Sequence, residues 1–119
     1  NGEKTHMNQN TLLMFTRNGL GDAPEGLRDA VTVKFLALLR QSGKLPGKIV
    51  FYTEGVKLVC SGSLIVEHLR ALAEAGVELI VCQTCLEYFG LLEQVAVGKV
   101  MGMPDVIAAM QSADKVISL

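Results

Sequence analysis

Two cysteines three positions apart, Cys82 and Cys85, are the residues of this sequence best suited to chemistry. They stand in VELIVCQTCLEYFG, residues 77–90, where an apolar run gives way to polar residues. Four kinds of chemistry use such a pair. A closed zinc site needs about four ligands, and beyond the pair the sequence offers only Cys60 and a poorly placed His68. A redox couple suits the spacing, because residues i and i+3 across a helix start can approach disulfide distance. Two inert thiols could simply pack as small apolar residues. A thiolate could instead accept sulfane sulfur as a persulfide and hand it to another thiol, which requires one exposed cysteine and no metal, base or cofactor.

The local pattern makes the two thiols unequal. Thr84 followed three residues later by Glu87 predicts a capping box, with a short helix starting at Cys85 and ending near Gly90. Cys82 then closes the strand and faces the helix start, while Cys85 takes the first helical position. Unpaired backbone N–H groups in such a turn favour thiolate over thiol. Against that, the helix is little more than one turn, no Lys, Arg or His adjoins the pair, and Glu87 opposes a negative sulfur.

The elements that must position this pair are legible as alternating runs. Residues 11–15, 48–52, 78–82 and 115–119 are apolar on consecutive positions, as strands covered on both faces are, and residues 95–100 form a weaker fifth run. Between them lie helical patterns. Residues 25–41 carry Leu27, Val31, Phe35, Leu38 and Leu39 at helical spacing, with Ser42-Gly43 as the stop. Residues 63–75 carry Leu64, Ile65, Leu69 and Leu72, and a third helix opens at Pro104 and runs to about Ser112. The alternation predicts a doubly wound α/β fold: an open, mostly parallel sheet of about five strands between helix layers.

In such sheets reactive groups gather at the C-terminal strand ends. Three loops qualify: TRNGLGDAPEG after the first strand, TEGVKLVCSGS after the second, and QTCLEYFG after the third. Arg17, Asn18, Gly19, Glu54, Gly55 and Thr84 are the residues expected to line the crevice beside the cysteines. GLGDAP is neither a dinucleotide fingerprint nor a P-loop, since no Gly-Lys-Ser/Thr follows. It reads as a turn, with Asp22 or Ala23 near the N-cap and Pro24 early in the first helix. Cys60 reads as a small buried residue, and His68, bordering the apolar face of the second helix, as a packed or interfacial side chain.

Composition narrows the class. The chain has 119 residues, 50% of them hydrophobic and 19% charged, with a formal net charge of −1. That is one apolar globular domain with no attraction for a phosphate backbone, and no apolar run reaches the ~18 to 20 residues of a membrane span. Three cysteines, too few for a disulfide framework, suggest a reducing, cytoplasmic setting. Residues 1–10 are expected to be an N-terminal tail and residues 11–119 a single domain.

An early apolar strand, a Gly/Asp loop into a helix, IVFYTEGVKL, GVELIVCQTCLEYFGL and the ending SADKVISL together resemble the DsrE-like sulfur-relay proteins. The likeness is strongest to the DsrE-like C-terminal domain of YedF-type proteins, associated with selenium metabolism. The resemblance implies an α/β/α sandwich, a homo-oligomer of trimeric or hexameric form, and a persulfide-carrying cysteine at the end of the third strand. Family members place that cysteine eight residues before a glycine, the spacing of Cys82 and Gly90, so Cys82 takes the acceptor role by this likeness. Cys85 has its counterpart only in the YedF-like branch, as a resolving thiol, a second carrier or an alternative nucleophile. YedF-type proteins also carry a TusA-like domain ahead of this one, which implies a separate TusA-like sulfur carrier as partner.

Overall fold

Consecutive apolar residues become buried strands at 11–15, 48–51 and 78–82, where the sheet is covered from both sides. The run at 115–118, expected to be covered likewise, lies at a sheet edge with Val116 45% exposed. The computed structural model describes residues 6–119, with strands β1 (Thr11–Phe15), β2 (Lys48–Phe51), β3 (Glu78–Cys82), β4 (Lys99–Met101) and β5 (Lys115–Ser118). They form one sheet in the order β4-β3-β2-β1-β5, every pair parallel. Helices α1 (Glu25–Ser42), α2 (Val66–Glu74), α3 (Gln83–Phe89) and α4 (Met103–Ser112) complete the fold, with 3₁₀ segments at Thr53–Val59 and Leu92–Gln94.

The period of two along each strand assigns the layers. Leu13, Phe15, Ile49, Phe51, Leu79 and Val81 pack with Leu36 and Leu39 of α1, Leu69 and Leu72 of α2 and Leu86 of α3. Leu12, Met14, Val50 and Ile80 pack instead with Val106 and Ala109 of α4. The chain steps from β1 to β4 in one direction and then returns to the far side of β1. Right-handed crossovers therefore put α4 on the opposite face from α1 and α2. Phe15 and Phe51, stacked at 5.6 Å beneath the C-terminal edge of the sheet, are the largest fully buried side chains. Each stabilises the fold by about 1.5–3 kcal/mol through burial.

Several boundaries and faces differ from the sequence reading. In α1 the buried residues are Thr32, Leu36 and Leu39, whereas Leu27 and Leu38 stay more than half exposed, at 58% and 54%. The helix carries apolar residues on two faces, and the sheet takes the one centred on Leu36. Helix α2 starts three residues later than expected. Ser63 Oγ accepts the Ile65 N–H at 3.3 Å, holding a turn that leaves Leu64 outside the core. His68 is half-buried and meets Arg40 Nη1 through Nδ1 at 2.9 Å, a contact between α2 and α1. The weak fifth run forms its strand only from Lys99, since Val95 pairs with Cys60 in an antiparallel bridge and Ala96 N–H donates to the Val59 carbonyl.

Part of the expected tail, residues 1–5, lies outside the described residues. Asn10 accepts backbone hydrogen bonds from Asp114 and Lys115, and Met7 packs against the core. Among the described residues no helix is long and apolar enough to cross a membrane.

Candidate functional site

Strand β3 and helix α3 share a corner: β3 ends at Cys82, and α3 starts at Gln83 with Cys82 as its N-cap residue. The expected capping box does not form. No side chain caps α3, and the Glu87 carboxylate accepts Gln83 Nε2 at 3.3 Å instead of folding back on the helix start. Without Thr84 as cap the helix begins two residues early, so Cys85 occupies its third position. One turn of helix then brings the two sulfurs together. Cys85 Sγ donates to Cys82 Sγ at 2.9 Å, with both thiols free.

Burial separates their roles. Cys82 is 1% exposed and sits in the core beside Val81 and Leu86, whereas Cys85 is half-buried and reaches the surface. The sequence reading assigned sulfur uptake to Cys82, and the structure leaves that thiol without direct access from solvent.

A third residue, which the sequence did not flag, completes the corner. Thr53 N–H donates to Cys85 Sγ at 3.0 Å from the second residue after the β2 strand end. Thr53 has φ 49°, the left-handed region that a β-branched residue adopts at a cost of about 1–3 kcal/mol. Its hydroxyl offsets part of that cost by bonding the Thr16 carbonyl at 2.6 Å and the Tyr52 carbonyl at 2.7 Å. The strain aims a backbone donor at sulfur. Threonine is not a residue type that announces a positive φ, so only geometry reveals it.

At Cys85 the surroundings favour the thiol over the thiolate. Burial pushes the Cys85 thiol above its ordinary pKa, and the hydrogen bond to Cys82 and that sulfur's charge act in the same direction. The Thr53 N–H pulls downward without reversing the shift. Cys85 is thus held as a thiol at neutral pH, with a donor in place for the anion once it forms.

The remaining expected residues scatter. Thr84 is exposed on the first turn of α3, and Arg17 is exposed after β1. Glu54 is exposed and pairs with Lys57 at 3.5 Å, while Lys57 Nζ lies 4.6 Å over the Phe89 ring. Gly55 is structural: a Cβ there would stand 2.1 Å from the Phe15 carbonyl oxygen, so only glycine lets the 3₁₀ segment cross the end of β1. Asn18 and Gly19 line a separate cavity of about 510 Å³, together with Arg28, Lys57, Cys60 and Phe89, and neither Cys82 nor Cys85 is among its lining residues. Cys60 itself is buried, donates to the Val56 carbonyl at 3.3 Å, and burial pushes its thiol pKa up. Among the described residues no three His, Cys, Asp or Glu side chains come together as a metal site.

Comparison with known proteins follows the fold. The model of the DsrE/DsrF-like family matches residues 20–119. No curated protein matches the chain in sequence. Among solved structures, the YchN protein of E. coli superposes with a TM-score of 0.65 at 17% identity, covering 92% of this chain and 98% of its own. MTH1491 of Methanobacterium thermoautotrophicum, a protein of unknown function, gives 0.66 at 15% identity, covering 92% and 97%. BT1422 of Bacteroides thetaiotaomicron, also of unknown function, gives 0.64 at 18%, covering 92% and 95%. At these identities the likeness is one of fold.

Proposed function

The chain belongs to the DsrE/DsrF-like family, and from that premise we propose that it is a sulfur carrier, taking sulfane sulfur onto the Cys82–Cys85 pair and passing it to a partner thiol. The observation that carries this reading is the corner itself. Two free thiols 2.9 Å apart lie at the C-terminal end of a parallel strand, one of them reaching the surface with a backbone N–H on its sulfur. Exposure favours Cys85 as the thiol that takes up sulfur, with Cys82 behind it.

The chemistry asks little of the protein. The Cys85 thiolate attacks the outer sulfur of a donor persulfide, the donor thiol leaves, and Cys85 holds the new persulfide. A partner thiolate then attacks that outer sulfur in turn. The Thr53 N–H supports the anion before uptake and again after release. By the family likeness the partner is a TusA-like carrier, the assembly is a trimer or hexamer, and selenium can stand in for sulfur on the same thiol, as the YedF-type pattern suggests. Leu27, Leu38 and Leu64, exposed in the single chain, are apolar surface available to such an assembly.

The test is transfer. The loaded chain, mixed with a reduced TusA-like protein, should lose one sulfur as the carrier gains one, and Cys85→Ser should neither load nor transfer. Transfer undiminished in Cys85→Ser would remove Cys85 from the pathway, and transfer undiminished in the Cys82→Ser, Cys85→Ser double variant would remove the pair. A second reading is favoured by the same sulfur–sulfur contact: a thiol/disulfide switch closing between Cys82 and Cys85. It predicts two free thiols lost on mild oxidation with no sulfur carried at all.

A further inference from the structure

The contact that brings the two sulfurs together also limits how long one of them can hold a third. Building on the carrier reading, we propose that the pair has a second activity. When no partner thiol arrives, Cys82 discharges the sulfur held on Cys85 as hydrogen sulfide and the corner closes as a disulfide.

The geometry selects this outcome over a simple hop between the cysteines. Cys82 Sγ lies 2.9 Å from Cys85 Sγ, closer than two sulfurs normally rest, so no space remains between them for an additional sulfur atom. A sulfur added to Cys85 must therefore project toward the open side, away from Cys82, which is 1% exposed and held among core residues. The atom that Cys82 touches is then the inner sulfur of the persulfide. Attack there, on the side away from the outer sulfur, is the displacement geometry that thiol–disulfide exchange uses. Thr53 keeps the inner sulfur in place: its N–H bonds Cys85 Sγ, and its hydroxyl anchors the strained residue to the Thr16 carbonyl.

The step balances without an outside oxidant. The persulfide on Cys85 reacts as its anion: Cys82 Sγ forms a bond to Cys85 Sγ, and the proton of the Cys82 thiol ends on the departing outer sulfur. The bond from Cys85 Sγ to the outer sulfur breaks, and its electron pair leaves with that sulfur as hydrosulfide. The sulfane sulfur is reduced to sulfide, and the two cysteine sulfurs are oxidised to a disulfide. A further round requires a thiol or dithiol reductant to reopen the pair.

Burial of Cys82 makes it the resolving member and protects its thiol from outside donors. The third cysteine has no part in this. Cys60 donates to the Val56 carbonyl and lines a different cavity.

The experiment is a single turnover read by intact mass. Reduced full-length chain is treated briefly with glutathione persulfide, desalted, and followed over time with sulfide assayed in parallel. The wild-type chain should first gain the mass of one sulfur, then lose that sulfur and two hydrogens as it releases one sulfide per chain. Cys82→Ser and Cys82→Ala should gain the same sulfur and keep it. If the wild type holds its sulfur as long as these variants do and releases no sulfide, the discharge is overturned while sulfur carriage stands. A glutathione adduct in place of added sulfur on the Cys82 variants overturns it too, since the disulfide would then arise without a persulfide. If no chain gains sulfur, carriage and discharge both fall. Should the variants not fold, the wild-type time course decides alone, because retained sulfur and released sulfide are exclusive outcomes.

Discussion

The molecule holds cysteine in two places, at the end of β3 and in the segment that follows β2, and the two places treat it in opposite ways. At the β3–α3 corner, Cys85 receives a backbone N–H, touches a second sulfur and reaches the surface. In the segment between β2 and α2, Cys60 spends its weak donor on the Val56 carbonyl, joins a backbone bridge to Val95 and is buried. Burial raises both thiols. Only at the corner does anything stabilise the anion, and only there is a second thiol in reach. What separates a reactive cysteine from a packing one here is convergence: a donor, a neighbour and an opening meet at one sulfur.

Breaking the scaffold that both places share should give the largest effect. Gly55→Ala forces a Cβ to 2.1 Å from the Phe15 carbonyl oxygen, where backbone rather than a yielding side chain is the obstacle. A loss of about 3 kcal/mol is expected in urea denaturation. Because Gly55 lies two residues after Thr53, reactivity at Cys85 should change as well. Wild-type stability in this variant would mean that the crossing is looser than described.

The comparison sharpens with Cys60→Ala. Removing a buried sulfur that makes only packing contacts and one weak hydrogen bond should cost about 1–2 kcal/mol and leave sulfur uptake as it was. Uptake lost along with Cys60, in protein that remains folded, would move the chemistry to the wrong place.

Cys82→Ala gives a smaller and more specific effect. It removes the hydrogen bond to Cys82 and the neighbouring charge, both of which raise the Cys85 pKa, and leaves the Thr53 N–H that lowers it. The Cys85 pKa should fall, so its alkylation by iodoacetamide at neutral pH should speed up. In the wild type the rate should keep climbing as pH rises beyond the ordinary thiol range, because a raised pKa keeps the sulfur protonated there. A wild-type plateau near neutrality would contradict that order of forces.

The fold could be read from the chain because buried parallel strands leave an unmistakable trace: TLLMF, KIVF and ELIVC have no polar face to alternate with. The pair at the end of β3 was legible for the same reason, since a strand end in such a sheet is where reactive groups collect. Faces and caps were harder to read. Helix α1 has apolar residues around much of its circumference, so spacing alone could not choose Leu36 over Leu38. Thr84 and Glu87 have the types and spacing of a capping box, yet β3 passes into α3 directly at Cys82 and leaves Thr84 inside the helix. Thr53 left no trace in the sequence at all. Its contribution is a main-chain N–H, which every residue but proline possesses, directed by a φ that its side chain disfavours.

The central claim is that Cys85, the surface thiol of the pair, takes up the sulfur. The direct measurement is to load the reduced chain briefly with a persulfide donor, block all sulfurs by rapid alkylation, and locate the added sulfur by peptide fragmentation. Added sulfur on Cys85, with Cys60 alkylated as an ordinary thiol or left unreacted, is the predicted result. Sulfur found on Cys60 alone, or first on Cys82 with Cys85 still free, would contradict the account.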